Sequence, residues 1–175
     1  PTVWGPAPGL IAYLSFAVAN SYDAPMRAAA KAAAAKGGGK ITVFDASNDP
    51  KTQFSQLQTA ATSKQYDAII VQPIFGTGLV SVVKQAIANK VKVVNMDQEL
   101  GPNLGTDKPQ VPGLAGNVVF VPPEIGKKLG RLPILACKTH KLNPRNTRHL
   151  YDLHASPPPP PTPPPPAGAP APPAP

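Results

Sequence analysis

Short apolar segments alternate with helix-compatible segments along residues 9–98, and this alternation restricts the chain to very few folds. Strands that are apolar on both faces need helices on both sides of the sheet, which is typical of parallel sheets. Right-handed crossovers then predict a doubly wound α/β fold with three layers, helix, sheet and helix. The first four predicted strands are residues 10–16, 40–45, 67–71 and 91–96.

Local signals predict where the intervening helices begin. Ser21 or Asp23 is expected to cap the first helix, which extends to residue 36. Asp49 is expected to cap the second, because Pro50 follows it and proline is favoured at the first helical position. Thr77 is expected to cap the third.

The second half of the chain is less regular. A fifth strand is predicted at residues 114–120 and a last helix at 124–132. The final twenty residues contain only Ser, Pro, Thr, Ala and Gly, a composition typical of disordered or polyproline II segments. We therefore predict an N-terminal extension, an α/β domain, an irregular basic segment and a disordered Pro-rich tail: residues 1–8, 9–131, 132–155 and 156–175.

The net charge of +8 is unevenly distributed. Residues 1–130 carry 12 Lys and Arg against 8 Asp and Glu, and the other half of the excess lies in residues 131–154. Since the α/β domain is only mildly basic, we expect no nucleic-acid partner. No apolar run of about 18 residues is present, so no transmembrane helix is predicted. The first residues also lack the features of a signal peptide.

Polar side chains follow the predicted strands at their carboxyl ends, where open α/β sheets bind ligands. Asn20 and Tyr22 follow the first strand, Gln72 the third, and Asp97 with Gln98 the fourth. Carboxylates and amides exchange hydrogen bonds with hydroxyl groups, and an aromatic ring can cover the C–H face of a sugar. Asp97 is the strongest candidate for binding such a polyol, whereas Asn20 and Tyr22 could instead serve only to form the turn.

Motifs for other chemistries are missing from the sequence. The segment after the first strand contains no glycine, so it cannot form a dinucleotide-binding turn, and neither a P-loop nor a Gly-x-Ser-x-Gly motif occurs. Cys137 is the single cysteine, and the spacing of His140, His149 and His154 does not suggest a metal site. We therefore expect a binding protein that is not an enzyme, with no catalytic residue, cofactor or metal.

Four segments occur in a specific order and spacing: Ile11-Ala-Tyr-Leu-Ser with Asn20-Ser-Tyr, Val43 to Pro50, Tyr66 to Pro73, and Val91 to Asp97. Together they resemble the N-terminal lobe of periplasmic sugar-binding proteins of the ribose-binding type. The resemblance implies the substrate-binding component of an ABC sugar transporter, with a monosaccharide ligand, a membrane permease as partner and a periplasmic location. By position, Asn20 and Tyr22 would lie against the sugar ring and Asp97 would bind two hydroxyls. Gln98 stands where relatives often have arginine, which leaves the preferred sugar open.

The resemblance is expected to end near residue 131, and the remaining 44 residues show no second lobe. We therefore expect a truncated or frame-shifted chain that binds sugar weakly, because one lobe supplies only about half of the hydrogen bonds. Surface that a second lobe would cover is expected to promote self-association.

Other classes of function remain open. The chain could be the sensor lobe of a lac-repressor-like regulator without its DNA-binding domain. It could instead be an interaction protein in which residues 157–161 and 163–166 bind aromatic-lined grooves. An enzyme built on a flavodoxin-like layer is the third alternative.

Overall fold

The computed structural model describes residues 9–143. The predicted N-terminal extension, the Pro-rich tail, and the part of the irregular basic segment that includes His149 and His154 lie outside the described residues. Within residues 9–143, strands and helices follow one another in this order: β1 (Leu10–Ser15), α1 (Asp23–Lys36), β2 (Lys40–Asp45), α2 (Pro50–Thr62), β3 (Ala68–Val71), α3 (Gly76–Ala88), β4 (Lys92–Asp97), β5 (Gly116–Val119) and α4 (Pro122–Thr139).

The five strands form one parallel sheet in the order β2-β1-β3-β4-β5. Ile11 of β1 lies opposite Ile41 of β2 on one side and Ala68 of β3 on the other. The chain therefore moves outward from β1 to β2 and then continues on the other side with β3. This reversal confirms the predicted doubly wound topology and creates a crevice beyond the carboxyl ends of β1 and β3.

Successive residues of β1 point to opposite faces of the sheet, and each face is covered by helices. Ala12 and Leu14 belong to a large apolar cluster that includes Leu57 of α2 and Leu79 of α3. Ile11 belongs to a smaller cluster with Ala34 of α1. Helix α1 thus covers one face and helices α2 and α3 cover the other, which confirms the predicted three layers.

The start of α2 agrees with the prediction. The Asp49 carboxylate accepts hydrogen bonds from the backbone N–H groups of Lys51 at 3.2 Å and Thr52 at 2.9 Å, and Pro50 is the first helical residue. These bonds lower the pKa of Asp49 because they stabilise its charged form, with the Thr52 side chain and backbone as the main donors.

The predicted caps of the other two helices are wrong. Helix α1 begins at Asp23, whose backbone N–H donates to Oδ1 of Asn20 at 2.7 Å, so the cap is neither Ser21 nor Asp23. Helix α3 begins at Gly76 with no side-chain cap from Thr77. A Cβ atom at Gly76 would lie 1.9 Å from a backbone carbonyl oxygen, so glycine is required there by this close approach.

Helix α4 is longer than predicted. It continues through Pro133 to Thr139, so the prediction of irregular chain from residue 132 is wrong over residues 133–139. Proline cannot donate to the carbonyl of Leu129, but α4 is mostly exposed and water can satisfy that oxygen. The chain divides into two compact units after Gly130.

A search of the described helices for a segment both long and apolar enough to span a lipid bilayer found none.

Candidate functional site

The loop between β1 and α1 is held in one shape by Asn20. Its Nδ2 donates to the carbonyl of Ala17 at 2.9 Å and also to Oδ2 of Asp23, while its Oδ1 accepts the N–H of Asp23. Arg27, one turn into α1, donates to the carbonyl of Val18 at 2.6 Å. The loop therefore presents its polar side chains from a fixed backbone.

Asp45 braces the same loop from the neighbouring strand. Its Oδ1 accepts the N–H of Val18 at 3.1 Å and the N–H of Ser47 at 2.8 Å. This carboxylate is therefore used within the protein, at the junction of β2 with the loop after β1.

A buried chain of hydrogen bonds connects the ends of three elements at the carboxyl edge of the sheet. Gln72 directly follows β3, and its Nε2 donates to Oδ1 of Asp23 at 2.5 Å and to Oδ2 of Asp97 at 3.0 Å. Gln72 and Asp23 are fully buried, and Asp97 is 7 % exposed. Two carboxylates and one amide are thus desolvated together in the crevice formed by the reversal of strand order.

Asp97 has an unusual backbone conformation. Its φ is +72°, and the N–H of Gln98 donates to the carbonyl of Met96 at 3.0 Å, which together form a γ-turn around Asp97. Positive φ is uncommon outside glycine and costs free energy that the surrounding structure must offset. The turn ends β4 with the carboxylate of Asp97 directed toward the polar crevice.

Tyr22 brings an aromatic ring to this carboxylate. Its hydroxyl donates to Oδ1 of Asp97 over a long distance of 3.5 Å, and its side chain is 60 % exposed. The largely exposed ring of Tyr22 thus lies next to the nearly buried carboxylate of Asp97. A bound molecule could therefore contact an apolar surface and a strong hydrogen-bond acceptor at the same time.

Burial dominates the electrostatics of this edge. Desolvation raises the pKa of Asp97 and the nearby charge of Asp23 raises it further, while the hydrogen bonds from Gln72 and Tyr22 lower it. Desolvation, together with the nearby charges of Asp23 and Asp97, also raises the pKa of the buried Tyr13 to about 12. The tyrosine hydroxyl therefore stays neutral, and Asp97 titrates at a higher pH than an ordinary aspartate.

Gln98 does not join this cluster through its side chain. Its backbone carbonyl accepts Nδ2 of Asn95 at 2.9 Å, and the residue itself is exposed. It lines a separate cavity of about 260 Å³ beside the start of α3, together with Phe75 and Leu104. The γ-turn accounts for the separation, because it reverses the chain direction between Asp97 and Gln98.

Three of the four predicted site residues, Asn20, Tyr22 and Asp97, therefore lie at one edge of the sheet, connected through Asp23 and Gln72. Asp23 and Gln72 follow predicted strands but were not among the four predicted ligand-binding residues. The sequence signal for Gln72 is its position directly after a buried strand, whereas Asp23 resembles an ordinary first-turn acid of a helix. Nothing in the sequence indicates that the two carboxylates share one amide.

The arrangement suits neutral ligands that carry hydroxyl groups. The site offers carboxylate and amide oxygens as acceptors, hydroxyl and amide groups as donors, and one aromatic face. Within residues 9–143, no group of three or more His, Cys, Asp or Glu side chains is placed to hold a metal ion.

The sequence of the chain matches a known protein family. The family model described as "Periplasmic binding protein domain" matches residues 11–141. The chain belongs to this family. The match confirms the resemblance noted in the sequence, and it extends ten residues beyond the predicted limit at residue 131.

Solved structures resemble this periplasmic binding protein domain over part of their length. A periplasmic ribose ABC transporter from Conexibacter woesei DSM 14684 is 26 % identical with a TM-score of 0.51, over 57 % of this chain and 33 % of that one. A protein described as "ABC transporter, LacI family transcriptional regulator" from Brachyspira murdochii is 20 % identical with a TM-score of 0.59, over 76 % and 40 %. A galactofuranose binding protein is 21 % identical with a TM-score of 0.50, over 55 % and 32 %.

The chain thus spans between 32 % and 40 % of the length of these structures. The two matches at 20 % and 21 % identity support the fold alone. A search of curated proteins gave no match.

Proposed function

We propose that this domain binds a monosaccharide at the carboxyl edge of its sheet, as part of the substrate-binding component of an ABC sugar transporter. Asn20, Tyr22 and Asp97 are the proposed ligand-binding residues, with Gln98 at the margin of the site. The ligand is bound and released without chemical change. A membrane permease is the proposed partner, and the periplasm is the proposed location.

The observation that carries this proposal is the nearly buried carboxylate of Asp97 beside the exposed ring of Tyr22. A sugar needs both features, since its hydroxyls require charged or amide partners and its C–H face requires an apolar contact. The family match supports a binding role, and the ribose transporter structure at 26 % identity supports a sugar rather than another polar ligand.

The affinity is expected to be weak. The site described in residues 9–143 contacts a ligand from one edge of one sheet, and each missing hydrogen bond removes about 0.5–1.5 kcal/mol of binding free energy. Dissociation constants in the millimolar range are therefore expected, well above the micromolar values of a fully enclosed ligand.

Because weak binding must be measured at high ligand concentration, we would follow backbone amide NMR shifts of the full chain during titration with D-ribose and D-galactose. Saturable shifts are expected at the β1–α1 loop and after β4, with none at the opposite, amino-terminal edge of the sheet. The variant Asp97→Asn tests the carboxylate, and asparagine adopts positive φ readily, so the γ-turn is retained. We expect its ribose affinity to fall at least about tenfold.

Asp107→Asn is the matched control. It removes one exposed carboxylate from the loop between β4 and β5, outside the proposed site. Its titration should match that of the wild type. Equal loss of affinity in both variants, or no saturable shift with either sugar, would contradict the proposal.

The alternatives differ in what they require. A sensor lobe of a lac-repressor-like regulator would bind sugar at the same edge, so sugar binding alone does not distinguish it. Binding to the isolated permease does, because the transporter component must contact it and a regulator need not. The interaction protein depends on residues 157–161 and 163–166, which lie outside the described residues.

A further inference from the structure

We propose that Gln72 is a positioning residue of this site, whose amide holds the carboxylates of Asp23 and Asp97 in fixed places. The proposal rests on the proposed function for its effect on sugar binding. Its structural part, that one amide fixes two carboxylates, stands on the hydrogen bonds described above.

The orientation of the Gln72 amide follows from its neighbours. Carboxylate oxygens only accept hydrogen bonds when ionised, so the NH₂ group must face Asp23 and Asp97. Each carboxylate takes one bond from Nε2, at 2.5 Å and 3.0 Å. Oε1 of Gln72 is buried and has no hydrogen-bond partner among the described residues. The Gln72 side chain is therefore oriented to bond the two carboxylates although its own oxygen is left unpaired. Such an orientation is unusual for a residue with a packing role alone.

The base of the Gln72 side chain is also fixed. Its backbone N–H donates to the carbonyl of Leu14 at 3.0 Å, and its carbonyl accepts Nε2 of Gln53 at 2.8 Å. The Oε1 of Gln53 in turn accepts the N–H of Ile74 at 2.8 Å. The two buried glutamines therefore make different hydrogen bonds. Gln53 bonds to the backbone after β3, whereas Gln72 bonds to the two carboxylates.

Losing the Gln72 amide would leave two like charges in a desolvated space. Asp23 and Asp97 would then repel each other without a common donor, and among the described residues Tyr22 still bonds to Asp97, while Asp97 acts electrostatically on Tyr13. Asp97 would either move or bind a proton. In both cases its oxygen facing Tyr22 would no longer be a fixed acceptor for a sugar hydroxyl.

The test is the near-isosteric variant Gln72→Met, with Gln53→Met as the matched control in the full chain. Carbon-detected NMR gives the pKa of Asp97 in each variant without any ligand, and titration with D-ribose gives the affinity. For Gln72→Met we expect a raised Asp97 pKa and a ribose affinity at least about tenfold weaker. Gln53→Met is expected to lower stability without moving the pKa of Asp97.

An unchanged Asp97 pKa in folded Gln72→Met would overturn the proposal, and so would an equal shift in Gln53→Met. If Gln72→Met does not fold, the wild type provides the readout. The NMR shift of the Gln72 side-chain amide should change with pH at the pKa of Asp97, and an amide shift independent of pH would overturn the proposal. If the wild type binds neither D-ribose nor D-galactose, the proposed function fails, whereas the carboxyl titration still decides whether Gln72 fixes the two carboxylates.

Discussion

The core beneath α2 and α3 and the carboxyl edge of the sheet both contain fully buried side chains, but they are built differently. Leu57 and Ile69 are fully buried among apolar side chains, whereas Gln72 and Asp23 are fully buried among polar ones. Apolar burial stabilises by about 25 cal/mol per Å². Polar burial costs free energy unless every group is paired, and the edge contains groups that are not. The core therefore stabilises the fold, whereas the edge carries the polar groups of the proposed binding site.

The largest effect is expected in the core, from Leu57→Ala. This side chain is fully buried between the sheet and α3, so its removal loses apolar burial and leaves a cavity, at a cost of about 2–5 kcal/mol. Urea unfolding measures this cost. Leu104→Ala, on a side chain that is 56 % exposed, should change stability by less than about 0.5 kcal/mol. Similar losses in both variants would mean that the core and the surface contribute alike.

The core could be predicted from sequence because its information is local and repeated. Each of the first four strands is a short apolar run, and the residues after Asp49 show the apolar spacing of a helix. An error of a residue or two at an element boundary leaves the sheet order unchanged. The prediction for helix α4 was too short because residues from 133 onward show no apolar period, although an exposed helix needs none and tolerates Pro133.

A smaller effect is expected where the edge meets α1, from Asn20→Ala. This change removes the acceptor for the N–H of Asp23 and two side-chain hydrogen bonds, at a cost of about 1 kcal/mol. Thermal unfolding measures it. Ser21→Ala, one residue away and exposed, should be close to neutral. The opposite ranking would restore Ser21 as the cap predicted from sequence.

The polar edge could be predicted only in part. The rule that ligands bind beyond the strand ends selected Asn20, Tyr22 and Asp97, because each lies just after a predicted strand. It does not specify how these side chains are connected. The γ-turn at Asp97 separates its side chain from that of Gln98, and turns of this kind have no reliable sequence signal.

The pH dependence of stability should differ between wild type and Asp97→Asn. Because the pKa of Asp97 is raised on folding, the folded chain binds more protons than the unfolded chain between the ordinary value and the raised one. This carboxyl therefore contributes stability that is fully present below its unfolded pKa and is lost as pH rises through its folded pKa. In Asp97→Asn the contribution is absent.

Urea unfolding at several pH values from mildly acid to neutral measures this difference. Stability relative to wild type should rise with pH in Asp97→Asn and become constant above the folded pKa of Asp97. Asp49→Asn should behave in the opposite sense, since the pKa of Asp49 is lowered and its stabilisation is lost as pH falls. A pH-independent difference for Asp97→Asn would mean that the edge carboxylate is solvated like a surface group.

The smallest effect is expected from Tyr13→Phe, at the boundary between the two regions. The ring of Tyr13 is fully buried, but its hydroxyl has no hydrogen-bond partner among the described residues. Removing an unpaired buried hydroxyl should leave stability unchanged or raise it by up to about 1 kcal/mol. Tyr66→Phe, on a half-buried ring that packs edge-on against Phe44, is the control and should be neutral. A clear loss of stability in Tyr13→Phe alone would mean that the Tyr13 hydroxyl forms a hydrogen bond in solution. The polar network at the edge would then include Tyr13, which would support the proposed site together with Gln72.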